Sequence, residues 1–122
     1  MVELAVVIVI IGILAAVAIP LYLGQQAKAN DSAAQQDLET MSQFIRGALE
    51  DEPDMPTLAW VGTSYSVNGE PGAALSPGVV FGGLSGTNMF DWCVDVTHPH
   101  GKVASVDGYR YSAKDGLEEG SC

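Results

Sequence analysis

Residues 2–23 read VELAVVIVIIGILAAVAIPLYL, and from Leu4 to Leu23 no side chain is charged. At about 1.5 Å of rise per helical residue, this run spans roughly the 30 Å hydrocarbon core of a bilayer. Glu3 places one carboxylate at the end of the run. A carboxylate held in or against an apolar phase costs several kcal/mol unless it is protonated or meets a cation, so Glu3 asks for a second charge. Val2, Leu4–Ile11, Ile13–Ile19, Leu21 and Leu23 are apolar on every side of the helix, which requires lipid or other helices all round. Gly12, Ala15, Ala16 and Ala18 are small enough to let helices approach closely.

Beyond Pro20 the apolar positions thin to Leu38, Met41, Phe44 or Ile45, Ala48 and Leu49, the spacing of an amphipathic helix packed on one side. Gln25–Gln36, rich in Ala, Gln, Lys and Asn, continues the helix without demanding a core. The stop falls at Glu50-Asp51-Glu52-Pro53, with a second proline at Pro56. The result is a rod of about 75 Å. Gly12 and Pro20 interrupt it. Pro20 lacks an N–H and crowds the carbonyl of Ala16, so Gly12–Pro20 is its weakest stretch.

After Pro56 the signals turn to strand. Thr57–Val61 and Ser64–Val67 are short candidates around Gly62-Thr63, and Glu70–Gly78 reads as a loop. Gly78–Gly86 reads as a short strand or a loop. Phe90–Val96 is the best strand, with Phe90, Trp92, Val94 and Val96 on one face and Asp91, Cys93 and Asp95 on the other. Lys102–Val106 and Tyr109–Ala113 flank Asp107-Gly108, a hairpin signal, and Lys114–Cys122 reads as a polar tail. The expected architecture is α+β: a long N-terminal helix whose second half packs on an antiparallel sheet of three or four strands. Three regions follow: 1–24 as a hydrophobic helix of transmembrane length, 25–52 as its amphipathic continuation, and 53–122 as a small head.

The chain of 122 residues is long enough for one domain. Its head of roughly 70 residues has a marginal core of its own. Cys93 and Cys122 are the only cysteines. Joined, they would contribute about 3 to 4 kcal/mol and imply an oxidising compartment; two free thiols in a reduced protein are the alternative. Net charge is −10, and residues 50–122 hold eleven acids against Lys102, Arg110 and Lys114. Such a surface repels phosphate backbones, so direct nucleic-acid binding is not expected.

Glu3-Leu4, Ile8–Ala16 (IVIIGILAA) and Ala18-Ile19-Pro20 resemble the N-terminal signature of type IV pilins and the pseudopilins of type II secretion. The resemblance is close over about the first 25 residues and loose beyond them. It implies the ladle fold, two residues ahead of Met1 with the first N-methylated, and a disulfide-bounded C-terminal region, which Cys93 and Cys122 match in position. It also implies polymerisation into a type IV pilus that supports adhesion, twitching motility or DNA uptake. The subunit would wait in the cytoplasmic membrane, then join identical subunits in an extracellular filament through the pilus assembly machinery. Glu3 would pair with an N-terminal amine and fix register. Leu4, Val7, Ile8, Ile11, Gly12, Leu14, Ala15 and Ile19 would pack the bundle, and Ala15–Pro20 would extend locally, with Gly12 and Pro20 as the breakers. A type II secretion pseudopilin or minor pilin reads almost the same, and a membrane-tethered binding domain is the alternative from another class.

Remaining candidates are weaker. His98 and His100 flank Pro99 near Asp95 and fit a solvated turn better than a metal site. Asp115, Glu118 and Glu119 do not spell a calcium loop. The aromatics Trp60, Tyr65, Phe81, Phe90, Trp92, Tyr109 and Tyr111 are expected mostly in the core. No nucleophile triad or phosphate loop is present in the sequence, so neither enzyme activity nor a cofactor is expected.

Overall fold

The computed structural model describes residues 1–122. One helix, α1 (Val2–Asp51), is followed by seven strands: β1 (Leu58–Val61), β2 (Ser64–Val67), β3 (Glu70–Ala74), β4 (Val80–Asn88), β5 (Asp91–Thr97), β6 (Tyr109–Ser112) and β7 (Gly116–Glu119). They form two antiparallel sheets, β1-β2-β3 and β4-β5-β6-β7. The class is α+β as expected, with more strands than the three or four expected and two sheets in place of one.

α1 is continuous through Pro20 in the single chain. It ends where Glu52 turns extended, its N–H still bonded to the Ala48 carbonyl, ahead of Pro53. The second half packs through a stripe of Ala34, Leu38, Met41 and Ile45, all fully buried, and Leu49. Ile45 takes the inward position and Phe44 lies at the rim, its ring edge-on to Tyr65 at 6.0 Å. Against this stripe sit Trp92, Val94, Val96 and Tyr109 from the four-stranded sheet, and Tyr65 and Val67 from the other.

Several local readings change. Glu70–Ala74 is a strand, because Asn68-Gly69 forms a two-residue turn with φ of 52° and 83° that folds it back onto β2. β4 runs nine residues, bulged between Phe81 and Gly83. A Cβ on Gly82 would lie 2.6 Å from the Asp95 carboxylate, so a larger residue there makes that side chain shift. In β5, Trp92, Val94 and Val96 face the core as expected, but Phe90 sits in the β4–β5 reversal and is 78% exposed.

Lys102–Val106 is not a strand. The Val103 carbonyl accepts from the N–H groups of Val106, Asp107 and Gly108, winding the segment into a turn, while Asp31 occupies the N–H groups of Val103 and Ala104. The true C-terminal hairpin joins β6 to β7 across residues 113–115, so Gly116–Glu119 is a strand and not part of a tail. Arg110 bridges to Glu118 across it at 2.6 Å.

The Cys93–Cys122 disulfide is formed, with Cα atoms 5.9 Å apart and a sequence separation of 29. It ties the chain end to β5. Replacing both cysteines by serine is expected to lower stability by about 3 to 4 kcal/mol through loop-closure entropy, read as a lower denaturation midpoint; an unchanged midpoint would contradict this.

Candidate assembly surface

Residues 1–26 are exposed in the single chain. Within them, Leu4, Ile8, Ile11, Leu14 and Ile19 are each about 60% exposed or more, and Val7 is 50% exposed. Gly12 has open space around it, Ala15 and Pro20 are exposed, and Glu3 has no ion-pair partner within the chain. Lone apolar side chains on a surface need no explanation, but a contiguous apolar cylinder does. By length and composition the segment is able to cross a membrane. Nothing in the head covers it.

The head is joined to this rod through a polar neck. Asp31 stands on the same stripe as Ala34 and Leu38 and is buried. Its carboxylate accepts from the N–H of Val103 at 3.2 Å and of Ala104 at 3.0 Å. Six residues further along the helix, Asp37 holds the loop before β4, accepting from the Ser76 N–H at 2.7 Å and its hydroxyl at 3.0 Å. Asn30 donates to the His100 carbonyl. His98, expected in a solvated turn, is buried: its Nδ1 accepts from the His100 N–H and its Nε2 lies 3.1 Å from the Pro77 carbonyl. That arrangement corresponds to the Nε2-protonated tautomer.

Residue patterning by itself missed these neck residues. The available signal was Asp31 itself, a carboxylate in phase with a buried stripe, which must have a partner. The C-terminal acids Asp115, Glu118 and Glu119 do not converge: Glu118 is taken by Arg110.

Inside the head, Phe44, Tyr65, Trp60 and Phe81 form a continuous aromatic row with centroid spacings of 6.0, 5.4 and 4.8 Å. The Tyr65 hydroxyl is buried without a hydrogen-bond partner. Burial pushes its phenol above 10.0; the Ala73 amide, close to the hydroxyl but outside hydrogen-bonding geometry, works against this, and the Asp37 charge adds to it. Tyr109 is raised in the same way, by burial first and by the charges of Asp31 and Glu119, with Gln35 opposing. A raised folded-state value means that the contribution is intact below 10.0 and is lost as pH rises through the folded-state value. Tyr65→Phe is therefore expected to leave stability at pH 7 within about 1 kcal/mol of the parent, or raise it, and to move alkaline unfolding to higher pH. Circular dichroism between pH 7 and 11.5 checks both; a clear loss at pH 7 would contradict the unpartnered hydroxyl.

No protein-family profile, curated protein or solved structure matches the chain.

Proposed function

We propose that the chain is a structural subunit that polymerises through its N-terminal helix into a type IV pilus-like filament, with identical copies as its main partners. The observation that carries the reading is the bare apolar cylinder of residues 1–24, with a single carboxylate at its start and a head that leaves every side of it free. In a bundle of copies each helix buries its whole circumference, and Glu3 finds a cation in the N-terminal amine of a neighbour. The unbroken α1 of the single chain is the form suited to a bilayer before assembly, since a freed carbonyl is costly in lipid. In the bundle, Ala15–Pro20 is the place where the helix extends, because Pro20 already removes a hydrogen bond there.

This role is scaffolding, with no catalysis and no direct nucleic-acid binding by the acidic head. Surface location, adhesion, motility or DNA uptake belong to the filament and its assembly machinery. A major subunit is the reading put forward. The test is fractionation of cells expressing the chain: mechanical shearing releases it as long, detergent-independent particles in which it is the predominant protein. Presence as a trace component, or release only in detergent, counts against it.

A further inference from the structure

Between the last turns of α1 and the β2–β3 turn lies a groove of about 470 Å³, bounded by Phe44, Gly47 and Ala48 on the helix and by Val67, Asn68 and Pro71 on the sheet. Asp51, Glu52 and Glu70 line it as well, and none of the three makes an ion pair or a side-chain hydrogen bond. It is a trough of mixed polar and apolar lining with three carboxylates and no cation.

The chain has five basic side chains. Arg46 donates to the Tyr111 hydroxyl and stacks on its ring, and Arg110 is held by Glu118. Lys102 and Lys114 stand on exposed loops of the head. Lys28 alone stands on the rod between the apolar cylinder and the head, exposed and unpaired. At about 100° per residue, Phe44 lies about 160° and Ala48 about 200° around the helix from Lys28, so the cation and the groove occupy opposite flanks. Along the axis they are about 24 to 35 Å apart. Complementary patches on opposite flanks form a heterologous contact, which propagates without closing when copies are displaced along an axis.

We propose that the groove receives the Lys28 segment of a second copy displaced by about 30 Å along the filament. The proposal rests on the filament reading and adds a contact distinct from the one at Glu3: it joins copies displaced by about 30 Å and locks heads to rods. The methylene stem of Lys28 covers Phe44 and Pro71 while its ammonium meets the carboxylates of Asp51, Glu52 and Glu70.

The test uses the full chain in piliated cells. Gly24→Cys with Gln43→Cys, the second on the rim of the groove, keeps Lys28 and all three carboxylates, and both positions are exposed. A short bismaleimide applied to sheared filaments, with the Cys93–Cys122 disulfide intact, is expected to give a ladder of dimers, trimers and higher species on denaturing gels, with chains carrying only one of the two added cysteines giving no such ladder. Intact filaments without a ladder overturn the proposal and leave the filament reading standing. Absence of filaments from the unaltered chain overturns both. If the double-cysteine chain fails to assemble, charge exchange decides: Lys28→Glu is expected to lower sheared filament yield at least tenfold, and adding Asp51→Lys and Glu52→Lys to restore most of it. Full yield with Lys28→Glu alone, or no recovery in the exchanged chain, overturns the proposal.

Discussion

Glu3→Ala is expected to remove surface filaments almost completely while full-length protein accumulates in the membrane. The side chain lies at the start of an apolar cylinder and has no partner in its own chain. In a bundle it is worth keeping only if it meets a cation. Deleting it leaves the neighbour's amine buried and uncompensated, at a cost of about 3 to 5 kcal/mol. That weakens each subunit addition by about 10²- to 10⁴-fold, and the penalty recurs at every step. Membrane insertion has no such requirement, since alanine is easier to insert than glutamate. Immunoblots of sheared and membrane fractions read both effects together. Filaments at parental yield would show that Glu3 is an interfacial bystander, and a chain missing from both fractions would point to a folding or insertion defect.

Asp31→Ala is expected to cost about 3 to 5 kcal/mol of head stability, from two backbone N–H groups left without an ionised acceptor in the neck. Against a total of about 5 to 15 kcal/mol for a domain, this is enough to loosen the head from its rod. Helix propensity acts with the opposite sign: alanine in a helix interior is favoured over aspartate by a few tenths of a kcal/mol. A net loss therefore reports on the loop that Asp31 holds. Asp31→Asn, which keeps an acceptor oxygen, should fall between the two. Denaturant titration followed by the fluorescence of Trp92, packed on the same core, gives the difference. An alanine variant as stable as the parent would mean that water satisfies Val103 and Ala104 equally well.

The long helix was legible because its determinants are local: an uncharged run from Leu4 to Leu23, a 3.6-residue stripe at Leu38, Met41, Ile45 and Leu49, and prolines after its end. β5 was legible for the same reason, its alternation surviving as the buried set Trp92, Val94 and Val96. What failed was decided by partners distant in sequence. Lys102–Val106 has strand-like composition, but its donors are claimed by Asp31, 72 and 73 positions earlier. Gly116–Glu119 has no strand character until Tyr111 and Arg110 lie alongside it. β3 is a different case. Asn68-Gly69 announces its turn, and the proline and glycine inside Glu70–Ala74 masked the strand that follows. Of the candidate site, the apolar cylinder and Glu3 were visible at once; the neck and the acidic groove exist only after the head folds back on the helix.

Electron cryomicroscopy of material sheared from cells expressing this chain tests the central claim most directly. The expected map is a helical filament with the N-terminal helices bundled at the axis, Glu3 against a neighbour's amine, Ala15–Pro20 extended, and the acidic heads outside. Monomers released only by detergent, from cells holding intact protein, would contradict a polymer subunit and make the head itself, on a membrane tether, the functional unit.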